Sequence, residues 1–384
     1  MSFMKKDHFK NFLFGGMMLL GIFLVAYLIG EGLIYLSYHK EMALFPRYVT
    51  QKQYGDYAIR SNMPNARYWH KSYDGRWEFQ INGQGFRSAV DFTHEKPKNV
   101  LRVLVLGDSF TVGYEVGQEE TYSVVLQREL QKQGINAQVI NAGVSGFSNA
   151  EELIFLEQEG IRYQPDVVVL GFYSNDLSDN IRTGLFELDK KGDLIVRNKN
   201  YTPVAKIHDF LNSISVYRWL SENSYLHNYL NAAATQWVVA WFNQKRQEEV
   251  VHSQSQISNP QKDQTEILLK DYQARLACKL VERAHSVSSD NKALFILLEI
   301  PDYSHNRISP SWTRQTCSPE SVSDIYVNGL SLLEDKTSGE IWYRPHGHNH
   351  WTPISHEVAG KYLASLIAKH PKILDASFAQ KSQK

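Results

Sequence analysis

Val103-Leu104-Val105-Leu106-Gly107-Asp108-Ser109-Phe110 is the stretch that decides the fold. Four apolar residues without polar alternation are the pattern of a strand covered on both faces. The strand, read as Arg102–Leu106, ends in a glycine-led turn that exposes a serine hydroxyl while its surroundings stay packed. Outward from it, Tyr122–Gln133 spaces Val125, Leu126 and Leu130 on one helical face and stops at Gly134. Ala137–Asn141 reads as a second strand, Ala150–Glu159 as a second helix, and Asp166–Gly171 as a third strand. This alternation predicts the α/β class: a three-layer α/β/α sandwich around a parallel sheet. In such sheets, sites gather beyond the C-terminal strand ends. Ser109, Gly146 and Asn175 all follow strand ends.

Residues 181–260 interrupt the alternation and read as a helical insertion, a lid or a partner surface. Lys190-Lys191-Gly192-Asp193 is a hairpin tip, and Tyr217–Phe242 is helical and rich in Trp, Tyr and Leu, aromatics expected to pack. Ser253–Asp263 is a Ser/Gln/Asn-rich linker. A helix over Gln264–Ser286, a strand over Ala293–Ile300, a short strand at Ile325–Val327 and a helix over His356–Lys369 complete the sheet. The segment 38–98 is polar and aromatic, with Trp77-Glu78-Phe79-Gln80-Ile81 alternating before Asn82-Gly83, and reads as a stalk with a small β lead-in.

From Phe12 to Gly30 no residue is charged, and Leu33-Ile34-Tyr35-Leu36 extends the run. That length spans a hydrocarbon core of roughly 30 Å. Lys5, Lys6 and Lys10 precede it, which keeps the N-terminus cytoplasmic and exports the rest. An uncleaved single-pass anchor is preferred to a signal peptide, because the run is long and no small-x-small cleavage site follows. The expected organisation is a cytoplasmic N-terminus at 1–11, a transmembrane anchor at 12–36, the stalk and lead-in at 37–98, one enzyme domain at 99–375 and a tail at 376–384. In a bacterium the domain would face the periplasm from the inner membrane.

Lysine plus arginine equals aspartate plus glutamate, 41 against 41, so no basic face points to nucleic acid. The 43% hydrophobic fraction supports a sizeable core. Cys278 and Cys317 read as separate buried thiols, with a single bridge in an oxidising compartment as the alternative.

Four blocks carry chemistry: Gly107-Asp108-Ser109; Asn141-Ala142-Gly143-Val144-Ser145-Gly146; Gly171-Phe172-Tyr173-Ser174-Asn175-Asp176; and His350-Trp351-Thr352-Pro353. A nucleophilic serine, small turns after later strands and a late histidine suit ester cleavage or acyl transfer. In this order the blocks resemble the SGNH (GDSL-type) hydrolase superfamily over about residues 98–370, which implies its flavodoxin-like fold. Asn82-Gly83-Gln84-Gly85-Phe86-Arg87 resembles the lead-in of membrane-anchored, polysaccharide-associated members. The resemblance implies Ser109 as nucleophile, His350 as its base and then acid, and an oxyanion hole from the Ser109 and Gly146 N–H groups and the Asn175 amide. A free hydroxyl needs such a base, and each oxyanion donor is worth about 10²–10³ in rate. No cofactor or metal is implied. The Gly-x-Ser-x-Gly elbow of α/β-hydrolases is absent.

Asp108 is expected to hold its turn, Asp176 to cap a helix, Gly143 to shape a turn and His356 to pack at a helix start. One departure stands out. The family's aspartate, two or three residues before the histidine, is replaced by His348 and Gly347. That leaves a Ser–His dyad, or a carboxylate recruited from elsewhere. His346-Gly347-His348-Asn349-His350 also has the alternate-histidine spacing of a zinc site. The resulting expectation is an exported, membrane-anchored serine esterase that removes an O-acyl group, such as acetyl, from a carbohydrate. An O-acyltransferase on a polysaccharide and an inactive glycan-binding or assembly protein are the alternatives. The implied partners are an acylated small-molecule or carbohydrate substrate, the inner membrane and polysaccharide-assembly proteins.

Overall fold

The structure, a computed structural model, describes residues 2–46, 48–201, 205–254, 262–304, 307–334 and 342–373. Most of the expected linker at 253–263, and all of the tail at 376–384, lie outside the described residues. A long helix, α1 (Ser2–Tyr38), is followed by two hairpins, β1 (Val49–Tyr54) with β2 (Tyr57–Asn62) and β3 (Arg67–Ser72) with β4 (Gly75–Gln80). Then come β5 (Leu101–Leu106), the single turn α2 (Ser109–Val112), α3 (Tyr122–Lys132), β6 (Ala137–Asn141), α4 (Asn149–Gln158), β7 (Val167–Phe172) and α5 (Asn175–Thr183). A hairpin of β8 (Phe186–Leu188) and β9 (Leu194–Val196) leads to α6 (Ala205–Ser213), α7 (Ser215–Asn223) and α8 (Tyr225–Gln254). The chain closes with α9 (Lys262–Asp290), β10 (Leu294–Glu299), the hairpin β11 (Asp302–Ser304) and β12 (Arg307–Ser309), β13 (Ile325–Val327), α10 (Gly329–Glu334) and α11 (Pro353–Lys369).

The central sheet runs β13-β10-β7-β5-β6, and every pair in it is parallel. The three-layer α/β/α architecture follows directly from the alternation of side chains. Val103 and Val105 of β5 join one core with Leu126 and Leu130 of α3 and Leu363 of α11. Leu104 and Leu106 join the other with Ile154 of α4 and Leu280 of α9. Successive strand residues point to opposite faces, so a strand with helices on both sides must be apolar throughout. Strand order reverses at β5, with β6 on one side and β7 on the other. The chain ends that leave these three strands therefore open a crevice at the C-terminal edge.

Three expectations differ from what is found. Residues 43–92 do not stand off as a stalk. Phe45, Tyr68, Phe79 and Ile81 share a buried cluster with Val112 and Tyr114, so the β3–β4 hairpin packs beside the turn that carries Ser109, while Tyr54 and Ile59 of the β1–β2 hairpin join the core that holds α4. Alternating polar residues on short strands conceal this, because only one face of each hairpin is buried. Cys278 and Cys317 are joined in a disulfide, not separate thiols: α9 carries one and the loop before β13 the other, with Cα atoms 6.4 Å apart. Trp219, Trp237 and Trp241 of the insertion are exposed rather than packed. Helix α1 contains one apolar stretch, Phe12–Tyr38, long enough to cross a membrane.

Candidate active site

The turn that carries Ser109 is held largely by its own residues. Asp108 caps α2, accepting from the Phe110 N–H at 2.9 Å, and the Val112 N–H returns to the Asp108 carbonyl. As the first residue of α2, Ser109 has an N–H with no carbonyl four residues back inside the helix. Its Oγ lies 2.8 Å from His350 Nε2. His350 is buried, on the irregular loop before α11, with its ring against Phe110 and Tyr114.

On the far side of the imidazole stands Glu115. Its Oε2 is 3.5 Å from His350 Nδ1 and accepts from the His350 backbone N–H at 3.4 Å, while Oε1 accepts from the His348 N–H at 3.5 Å. These are loose contacts, and at 3.5 Å the ring contact is an ion-pair approach rather than a well-aligned hydrogen bond. Catalytic hydrogen bonds commonly tighten only when substrate is bound. Glu115 is fully buried. Burial pushes its carboxyl up, but the hydrogen bond and charge of His350, with smaller contributions from His70 and His348, outweigh this and set its pKa at about 2. Ser109, His350 and Glu115 thus form a continuous hydroxyl–imidazole–carboxylate series.

Two features fix Glu115 in place. Its backbone is left-handed, φ 62°, which costs a non-glycine residue of order 1–3 kcal/mol unless its surroundings enforce it. The buried Arg87 enforces it, donating to the carbonyls of Val112, Gly113 and Val116 and stacking on Phe79. The Asn82–Arg87 lead-in therefore has a local structural role, bracing the loop that carries the carboxylate. Gly347 supplies the second constraint. With φ +70°, a Cβ there would stand 2.2 Å from Glu115 Oε1.

The predicted oxyanion donors sit on three strand-end turns. Gly146 has φ +72°, and a Cβ on it would lie 3.0 Å from the Arg60 guanidinium. Its carbonyl accepts from Arg60 and, at 3.3 Å, from Arg182, while its N–H meets no acceptor among the described residues. Asn175 begins α5, and its Nδ2 donates to Asp108 Oδ2 at 3.1 Å, leaving the amide's second N–H for another acceptor. Asp108, Glu152 and Asp176 lie buried behind this rim. Burial is the main cause that pushes all three up, Glu152 to about 8. A largely protonated Glu152 spares a developing oxyanion the repulsion of a full cluster of carboxylates.

The other expected residues also have assigned places. Gly143 donates its N–H to Asn141 and accepts from Asn62. Asp176 lies inside α5, where it accepts from the Tyr173 N–H, and Ser174 is the N-cap. His356 is buried in α11, accepts from the Tyr122 N–H and stacks on that ring, and burial drives its pKa down to about 3. The alternate histidines diverge: His346 pairs with Asp74 at 2.7 Å, His348 meets the rings of Phe45 and His70, and His350 meets Ser109. Sequence reading missed Glu115, Arg87 and Asp74. Glu115 had left one trace, as the lone charge in the otherwise neutral run Phe110–Val116.

Fold and site together define a doubly wound α/β protein with a serine–histidine–carboxylate series at its topological switch point. Residues 105–272 match the GDSL-like Lipase/Acylhydrolase family, the type that the four sequence blocks resemble. An arylesterase of Vibrio mimicus is 33% identical over 75 residues, 20% of this chain and 38% of that protein, so the chain spans well under two thirds of this curated relative. A psychrotrophic esterase of Pseudoalteromonas sp. is similar in structure over 70% of this chain and 97% of that one, with 16% identity and a TM-score of 0.33. A lipase/acylhydrolase of Enterococcus faecalis covers 69% of this chain and 94% of its own, with 14% identity and a TM-score of 0.34.

Proposed function

We propose that this chain is an exported, membrane-anchored serine esterase that removes O-acyl groups from a carbohydrate. Ser109 Oγ attacks the ester carbonyl carbon as His350 Nε2 takes its proton. The imidazolium so formed keeps its Nδ1–H toward the Glu115 carboxylate, which stabilises the charge and selects the tautomer. The Ser109 and Gly146 N–H groups and the Asn175 amide receive the negative charge on the former carbonyl oxygen. His350 returns the proton to the departing sugar hydroxyl. Water, deprotonated by the same imidazole, then releases the acid and restores Ser109.

The observation that carries this reading is the 2.8 Å contact between Ser109 Oγ and His350 Nε2, backed by the buried Glu115. Glu115 removes the reason for an inactive protein, because the aspartate absent from the histidine's own segment has a substitute at 115. Export is supported by the apolar Phe12–Tyr38 helix and by the Cys278–Cys317 disulfide, since such bonds persist in oxidising compartments. A carbohydrate acceptor for transfer would use the same residues, and no observation favours it over water.

The test uses the full-length chain in detergent with p-nitrophenyl acetate, then with acetylated oligosaccharides. The expected result is turnover that Ser109→Ala and His350→Ala abolish, with acetate released from the sugar. Turnover that survives Ser109→Ala would refute the mechanism. Acetate appearing on an added unacetylated sugar rather than in solution would convert the esterase into a transferase.

A further inference from the structure

Helices α6, α7 and the first half of α8 carry apolar side chains that none of the described residues covers. Phe210, Val216 and Trp219 are 67%, 66% and 63% exposed, and Leu230, Trp237 and Trp241 of α8 are 58%, 74% and 54% exposed. The α8 residues are spaced seven and four apart, which places them on one helical face. Further along the same face the exposed residues become Gln244, Lys245 and Glu248. The stripe therefore stops before α8 reaches the hydrolase core, where Val250 is buried.

What covers this surface is indicated by its junction with α1. Glu31, the only charged residue within Phe12–Tyr38, caps the start of α8. Its carboxylate accepts from the Ser224 hydroxyl at 2.7 Å and from the N–H groups of Tyr225 and Leu226 at 2.7 and 2.9 Å. Two of these hydrogen bonds satisfy free amides at the N-terminus of a long helix, and the anion suits the positive end of its dipole. Tyr35 packs edge-on against Tyr225, and Tyr38 stacks on Tyr229. The apolar surface of the insertion is thus continuous with the end of the apolar helix. Lys40, just beyond α1, accepts from the Gly347 N–H, so the same junction reaches the loop that bears His350.

We propose that α6, α7 and the first half of α8 dock into the phospholipid interface around the point where α1 leaves the bilayer. The reading rests on α1 spanning the membrane. Tryptophan is favoured at that depth, since its ring is apolar and its N–H still reaches water or headgroups. The insertion is then neither a lid nor a sugar platform but a foot that holds the hydrolase domain against the lipid surface.

The experiment reconstitutes the full-length chain in phosphatidylcholine vesicles, plain or brominated high on the acyl chain, and reads tryptophan emission. Helix α1 contains no tryptophan, so bromine reports on the rest of the chain. Bromination should lower emission by about a third, the share of Trp219, Trp237 and Trp241 among the 8 tryptophans. The triple variant W219F/W237F/W241F should lose that effect. Both proteins should stay with the vesicles through an alkaline carbonate wash. Unchanged emission from a chain that resists the wash overturns the docking and leaves the span intact, as does full quenching in the triple variant. A chain released by the wash overturns the span, and the docking with it.

Discussion

The two segments that bring Ser109 and His350 together are built in opposite ways. Ser109 stands on a turn that secures itself: Asp108 caps it, Val112 bonds back to it, and the buried strand β5 delivers it. His350 stands on a loop secured from a distance, by Asp74 between β3 and β4, Glu115 after α2 and Lys40 after α1. The Ser109 turn takes its cap from a neighbour in sequence, with Asn175 and Arg87 as added distant contacts, so most of its support lies nearby. The His350 loop, positioned by remote groups, can be displaced from places far from Ser109.

Gly347→Ala should be the most damaging of the remote changes. The added methyl would occupy the place of Glu115 Oε1 at a backbone angle alanine resists. We expect kcat for p-nitrophenyl acetate to fall roughly 10²-fold or more, since a misplacement near 1 Å costs about that much, with the circular dichroism spectrum retained. An unaffected rate would mean that the loop has slack and the contrast with the Ser109 turn is weaker than described.

Arg87→Met should come next. It leaves the carbonyls of Val112, Gly113 and Val116 without their donor, each at a cost of about 1–3 kcal/mol. The expected outcome is a lower melting temperature together with a roughly tenfold drop in kcat, as misplacing Glu115 should be less complete than blocking it. Arg87→Lys should not rescue either, because a point ammonium cannot span three carbonyls. A melting change with kcat intact would show that the brace is structural only.

The smallest effect concerns pH. Burial first, and then the charges of Asp108 and Glu151, raise Glu152 from 4.5 to about 8. The folded state therefore holds a proton that the unfolded state releases, so stability falls as pH rises from about 4.5 through 8. Glu152→Gln removes that proton from the balance. Its melting temperature, measured against wild type, should gain progressively over the same window. A constant difference between the two proteins would contradict a raised Glu152.

The division between what sequence reveals and what it hides follows the same line. β5, β6 and β7 are legible because a strand buried on both faces must be apolar at every position. Ser109, Gly146, Asn175 and His350 are legible as candidates because each sits in a short block tied to a strand end or helix start. Glu115 was hidden because its pairing with His350 joins residues 235 positions apart and depends on left-handed backbone at a non-glycine residue. The packing of residues 43–92 was hidden for a related reason. Hairpins with one buried face look polar until the surface they cover is known. The exposed tryptophans misled reading in the other direction, since composition cannot tell a packed ring from one that faces outward.

The central claim is that Glu115 does for His350 what an aspartate just before the histidine does in the hydrolases that its sequence blocks resemble. The most direct measurement is the second-order rate at which a fluorophosphonate modifies Ser109 in wild type and in Glu115→Gln, with folding checked by circular dichroism. Ser109 and His350 are intact in both proteins, so only the orienting charge differs. Loss of such a carboxylate costs up to about 10⁴ in a serine protease, and we predict a decrease of at least roughly 10²-fold here. Equal rates in two equally folded proteins would contradict the account and leave Ser109 and His350 as an unassisted pair.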